Sequence, residues 1–230
     1  MIGIIGAMDV EIEAIRSLMK DRQDVVISGV RFSEGTLKGV PCVVAVCGIG
    51  KVFAAICAQT MILTWKPDLL LNIGVAGSLS TGLSVGSIAV ASAVVQHDMD
   101  TSVLGDPVGL VSGINVIKFP ADVDASAKLA EAALACGIPM ETGIIVSGDQ
   151  FIGDHDKKEW LRSTFSAIAC EMEGAAIGHV AFVNNVPFAV LRAISDSYDT
   201  DAPQMDYETF KQLAAANSLR VLRIFLENVK

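Results

Sequence analysis

Residues 68–77 read Asp68-Leu69-Leu70-Leu71-Asn72-Ile73-Gly74-Val75-Ala76-Gly77. The first six form a short, strongly apolar run that starts just after Pro67, the pattern of a strand buried on both faces. The four that follow read as a glycine-rich turn at its end. A strand buried on both faces needs helices above and below it, and the neighbouring sequence supplies them. Val52–Trp65 is a helix that stops before Pro67. Upstream, Ile2–Gly6 is a second buried strand, and Val10–Lys20 is an amphipathic helix with Val10, Ile12, Ile15, Leu18 and Met19 at its apolar positions. Val25–Ser28, Arg31–Leu37 and Val40–Val46 are strands joined at Gly29 and Gly39.

Downstream the alternation continues. Ser87–Val95, Gly143–Ser147, Ala167–Cys170 and Pro187–Ser195 are strands; Ala125–Cys136, Asp154–Arg162, Met172–Asn184 and Tyr207–Asn228 are helices. No linker, repeat or low-complexity stretch divides residues 1–230. Strands alternating with helices predict a single α/β domain: a mixed, largely parallel sheet with helices on both faces, three layers in all. The Asp98–Pro120 stretch is too long and glycine-rich for an ordinary connection. It reads equally as a functional or interface loop and as a surface excursion.

Composition narrows the function. Of the 230 residues 52% are hydrophobic and 19% charged, so a large core is available, and the net charge of −9 repels a phosphate backbone. Nucleic acid and anionic membrane surfaces are therefore disfavoured partners. The start, MIGIIGAMDVEIEAI, has no cationic segment of the secretory kind. The apolar region from Ala167 to Leu191 is interrupted by Glu171, Glu173, His179, Asn184, Asn185 and Pro187, too many polar groups for a spanning helix. The five cysteines form no CxxC pair and suit a reducing cytoplasm. His97, His155 and His179 lie far apart, so no zinc motif is expected.

Two glycine motifs nearly match nucleotide-binding signatures. Gly3-Ile4-Ile5-Gly6-Ala7 lacks GxGxxG and the acid that should follow a βαβ unit. Gly48-Ile49-Gly50-Lys51 resembles the end of a phosphate loop, but Ala45 and Val52 stand where glycine and Ser/Thr are required. A tight turn explains it, and so does a turn whose N–H groups approach a substrate or anion.

Three carboxylates are harder to set aside. Glu11 follows the first strand, Glu173 opens a helix after a short strand, and Asp196 ends Phe188-Ala-Val-Leu-Arg-Ala-Ile-Ser195. Each alone is explained as first-turn charge or as a turn residue. On three strand ends of a charge-poor chain they would converge in one crevice.

At these residues the chain resembles the 5′-methylthioadenosine/S-adenosylhomocysteine nucleosidase family, within the larger nucleoside phosphorylase superfamily. The matching segments are IGIIGAM with Glu11, CGIGKV, NIGVAGSL, IVSGDQFI, EMEGAAI and RAISD. The resemblance implies a nucleoside phosphorylase-like fold and hydrolysis of an adenine nucleoside, in methionine salvage, with no metal or organic cofactor. It implies that Asp196 protonates adenine N7, with Ser195 orienting its carboxyl. Ile152 would hold the base edge through its backbone, with Phe151 stacked on the ring. Glu173 would accept hydrogen bonds from the ribose hydroxyls, with Met172 packed on the sugar. Glu11 would activate water, and Met8, Ile49 and Val75 would line the sugar side. A homodimer is the implied assembly.

The chemistry agrees. Adenine leaves readily only when protonated, so the acid must hold a proton near pH 7, above the ~3.9 of an ordinary Asp. Carboxylates near the ribose stabilise its developing positive charge. Three alternatives stay open. A purine nucleoside phosphorylase would need a cationic phosphate pocket, which Lys51 leaves conceivable although Glu11 opposes it. A hydrolase of another nucleoside, such as a futalosine-type substrate, is suggested because residues 100–116 have no aromatic residue where the family covers the 5′-tail. A ligand sensor would bind without turnover.

Overall fold

The structure is a computed structural model that describes residues 1–198 and 203–229, with side chains throughout except at 203–206. In chain order the elements are β1 (Ile2–Gly6), α1 (Asp9–Ser17), β2 (Lys20–Ile27), β3 (Val30–Leu37), β4 (Val40–Val46), α2 (Lys51–Trp65), β5 (Leu69–Ser78) and β6 (Ile88–Gln96). There follow β7 (Phe119–Pro120), α3 (Val123–Ala135), β8 (Met140–Ser147), α4 (His155–Phe165), β9 (Ala167–Glu171), α5 (Gly174–Val183), β10 (Phe188–Asp196) and α6 (Pro203–Asn228). Among the described residues no helix is long and apolar enough to cross a membrane.

The strands make one mixed sheet in the order β10-β6-β8-β9-β5-β1-β4-β3-β2. Parallel pairings run through its centre, β4 to β1 to β5 to β10, and through β6 to β8 to β9. The β2–β3–β4 hairpins and the β6–β10 and β5–β9 contacts are antiparallel. Because β10 pairs with β5 as well as β6, the strands β5, β10, β6, β8 and β9 close into a ring.

The period-2 alternation of the buried strands feeds two separate cores. Ile5, Val43, Leu70 and Val190 pack on one side with the buried face of α2 and with α5, through Met61 and Ile177. Their neighbours Ile4, Val44, Leu71 and Leu191 pack on the other side with α1, α3 and α6, through Ile12, Leu129 and Phe225. A third cluster, including Val146, Leu161 and Phe165, seats α4 against the ring.

Two boundaries differ instructively from expectation. The first helix ends at Ser17, not Lys20, and the chain re-enters the sheet at Lys20. Among the described residues β2 is an edge strand paired only with β3, and Lys20-Asp21-Arg22-Gln23-Asp24 is exposed throughout. Charge of this kind blunts a sheet edge and erases the apolar alternation that would announce a strand. The expected helix Met172–Asn184 begins instead at Gly174, with Glu173 as its N-cap residue.

Candidate active site

The Gly74–Gly77 segment is not a turn. It is the second half of β5, and neither glycine has a left-handed backbone. The reason for glycine is close approach. A Cβ on Gly74 would lie 2.7 Å from a Glu11 carboxylate oxygen, and one on Gly77 2.9 Å from Asp196 Oδ2. On one edge β5 pairs with β1 as far as Asn72 and then with β9 at Gly77 and Ser78. Between these partners its edge is open, and a side chain fills the gap: the Val75 N–H donates to Glu11 Oε1 at 3.1 Å. A strand that changes neighbours in this way opens a crevice at its carboxyl end, where α/β sheets bind ligands.

That crevice is a cavity of about 310 Å³. Glu11, Glu173 and Asp196 all line it, as do Met8, Ile49, Val75, Phe151, Ile152, Met172 and Ser195, so the expected site residues come together.

Glu11 sits at the third position of α1. Its Oε2 accepts the N–H groups of Ala7 (2.8 Å) and Met8 (2.9 Å). The plain helix-start explanation is therefore true of Glu11, and the same contacts lock its carboxylate at the cavity wall. Burial pushes its pKa above the ordinary glutamate value, against the opposing pull of Arg192 and three backbone N–H groups.

Glu173 accepts the Gly50 N–H on Oε1 at 2.8 Å, and its Oε2 lies 3.9 Å from Arg192. Burial, and then the charge of Glu171, push it up to about 7. Asp196 ends β10 beside a register shift opposite Gly77, a bulge that re-aims its side chain. The Ser195 hydroxyl donates to Asp196 Oδ1 at 3.1 Å, and Lys158 Nζ lies 3.5 Å from Oδ2.

Sequence reasoning missed four contributors. Arg192, 1% exposed, donates to Asn72 and to Glu171, and it sits under both glutamates. A lone arginine in the apolar run Phe188–Ile194 was the available signal. Glu171 accepts the N–H groups of Glu173 and Gly174 at the start of α5, and it also holds Arg192. Lys158 shares the buried face of α4 with Leu161 and Phe165, so a lysine at an apolar helical position was its signal. Tyr207 on α6 lines the cavity, donates its hydroxyl to Met8 Sδ at 3.1 Å and meets Phe151 edge-on at 5.8 Å between ring centroids. Nothing in its sequence surroundings marks it.

The Gly48–Lys51 turn is left-handed at Gly48 and Gly50. Its amides meet the protein's own anions: Gly50 donates to Glu173, and Lys51 donates to Asp149 at 2.7 Å. Lys51 Nζ is held by Asp98 (2.5 Å) and Gln96 (3.2 Å).

Comparison with known proteins agrees with this fold. The sequence model of the phosphorylase superfamily matches residues 1–227, and the chain belongs to that superfamily. A 5′-methylthioadenosine/S-adenosylhomocysteine nucleosidase of Staphylococcus aureus (strain MRSA252) is 34% identical over 230 residues, covering both chains completely. The crystal structure of the nucleosidase of that name from Neisseria meningitidis, in complex with methylthio-immucillin-A, superposes with a TM-score of 0.94 at 33% identity, covering 99% of each chain. Futalosine hydrolase of Helicobacter pylori strain 26695 superposes at 0.93 with 34% identity, covering 99% of this chain and 97% of its own. Within the superfamily the chain is thus a member of the 5′-methylthioadenosine/S-adenosylhomocysteine nucleosidase family, an N-glycosyl hydrolase.

Proposed function

We propose that this enzyme hydrolyses the N-glycosidic bond of 5′-methylthioadenosine and S-adenosylhomocysteine, releasing adenine and the 5′-thio-substituted ribose in methionine salvage. The observation that carries this reading is the meeting of three buried carboxylates, from the start of α1, the N-cap of α5 and the end of β10, in one cavity. Asp196, oriented by Ser195, delivers a proton to adenine N7, so that the base leaves neutral. The base lies against Phe151, with its edge on the Ile152 backbone. Glu173 accepts the ribose hydroxyls over Met172. Its ionised form and that of Glu11 stabilise positive charge at the sugar. Glu11, fixed by three N–H donors, takes the proton of the attacking water on the face away from the base. Met8, Ile49 and Val75 wall the sugar side.

Hydrolysis rather than phosphorolysis is favoured by the Gly48–Lys51 turn. Its Gly50 and Lys51 N–H groups, and its lysine, already serve carboxylates. A dianion there would face Glu173 and Asp149. The Helicobacter pylori neighbour named for futalosine keeps a futalosine-type nucleoside as the second reading. Adenine release from methylthioadenosine and S-adenosylhomocysteine, and base release from inosine and futalosine, with and without phosphate, tests the whole assignment. Phosphate-independent release from the two thio-nucleosides is expected; a requirement for phosphate, or turnover of futalosine alone, overturns it.

We also propose a cytoplasmic homodimer. Val52, Ile56 and Leu63 on α2, Phe182 and Val183 on α5, and Val103 and Leu104 in the long loop are exposed apolar side chains of the kind that subunit interfaces bury. Five free thiols suit a reducing compartment.

A further inference from the structure

Lys158 is buried without a role in the chemistry described so far. It is 1% exposed, on the face of α4 that carries Leu161 and Phe165, where an apolar side chain would sit without the cost of burying a charge. Its Nζ donates to the Ser197 carbonyl at 2.9 Å and lies 3.5 Å from Asp196 Oδ2. This placement conflicts with a simple account of the acid. A cation beside a carboxyl favours the ionised form, which has no proton to give. The conflict disappears when protons are counted for the pair. An Nζ–H of Lys158 faces Asp196 Oδ2, so the proton that the carboxyl passes on comes to it from its partner.

We propose that Lys158 is the positioning and proton-supplying partner of Asp196, so that the unit that protonates the leaving base is the Lys158–Asp196 pair. The inference rests on the reading of Asp196 as the acid. An Nζ–H bond of Lys158 breaks as a carboxyl O–H bond forms on Asp196. That O–H bond breaks as N7–H forms, and the electrons of the C1′–N9 bond go to the base. Adenine leaves neutral, Asp196 is a carboxylate and Lys158 a neutral amine. Water adds to C1′ and loses its proton by way of Glu11 to solvent, and solvent returns one proton to Lys158. The Ser197 carbonyl accepts from amine and ammonium alike, so the side chain keeps its direction throughout.

Among the described residues, these titratable and charged groups face the pair or lie next to it. From β9 come Cys170, whose thiol burial pushes up to about 12, and Glu171, which is engaged with Arg192. From β10 comes the Ser195 hydroxyl, bonded to Asp196. His155, Glu159 and Arg162 of α4 gather around Tyr198, beyond Ser197.

The test is the pH profile of kcat/KM for adenine release from methylthioadenosine, between about pH 5 and 9.5, for the wild type, Lys158→Met and Lys158→Arg, each with its melting temperature checked. In Lys158→Met the basic limb is expected to move down by at least about one pH unit, with activity near pH 5 recovering to within about threefold of wild type as solvent protonates Asp196 directly. Arginine restores the charge but does not give up its proton, so Lys158→Arg is expected not to restore the limb. An unmoved or raised limb in Lys158→Met, or full restoration by arginine, overturns the proposal. If Lys158→Met does not fold, the arginine variant alone decides by the same criterion. No adenine from the wild type at any pH, or normal activity in Asp196→Asn, would instead sink the functional reading itself.

Discussion

At the scale of single residues, the three carboxylates divide by what holds them. Asp196→Asn keeps the size of the side chain and the Ser195 contact but has no acid proton, so adenine release should fall by at least ~10²-fold with folding intact. Glu11→Gln keeps one oxygen for the Ala7 and Met8 amides and gives up only the Val75 contact, so it should bind substrate and fail to turn it over; isothermal titration beside the kinetic assay separates the two. Glu173 makes a pH prediction. Its pKa is about 7 in the fold, against an ordinary glutamate value of 4.5. A raised pKa means stability that is fully present below 4.5 and lost as pH rises through 7. Melting of the unliganded enzyme should therefore show a fall between those values that flattens in Glu173→Gln. Glu11, also raised, adds a slope of the same sign. The three acids were legible in the sequence because each sits at, or within a few residues after, the end of an apolar strand. Arg192 and Lys158 were not, because a buried cation declares its purpose only when its anions, far away in sequence, are seen around it.

At the scale of elements, β5 decides the site. Its glycines were legible as glycines but not as strand residues, since a Gly-x-x-Gly segment after an apolar run has the composition of a turn. What overrides that preference is pairing: Gly74 and Gly77 lie opposite Arg192 and Asp196 of β10. Gly77→Ala should force the Asp196 carboxylate off its position between Ser195 and Lys158 and lower kcat by about tenfold or more, with a modest drop in melting temperature. Equal kcat in that variant would mean the carboxylate relaxes at no cost. β2 was partly missed for the opposite reason: it is exposed, charged and held only by its neighbour.

At the scale of the whole molecule, the proposed dimer rests on the exposed apolar side chains of α2, α5 and the long loop. Sedimentation at micromolar concentration should give a dimer, and Ile56→Glu with Leu63→Glu should give a folded monomer; a monomeric wild type contradicts the assembly. The three-layer organisation was readable from alternation alone, but the closure of the sheet was not. It depends on β10 finding both β5 and β6, pairings between segments roughly a hundred residues apart. That closure also imposes an order in time. A nascent chain that has delivered β1 to β5 can pair β5 with β1, yet one whole flank of that apolar strand waits for a partner made about 110 residues later. Until β10 emerges, the growing chain offers an open β edge and no acid, so translation arrested before residue 188 would yield not a weak enzyme but a sticky fragment, of the kind chaperones hold.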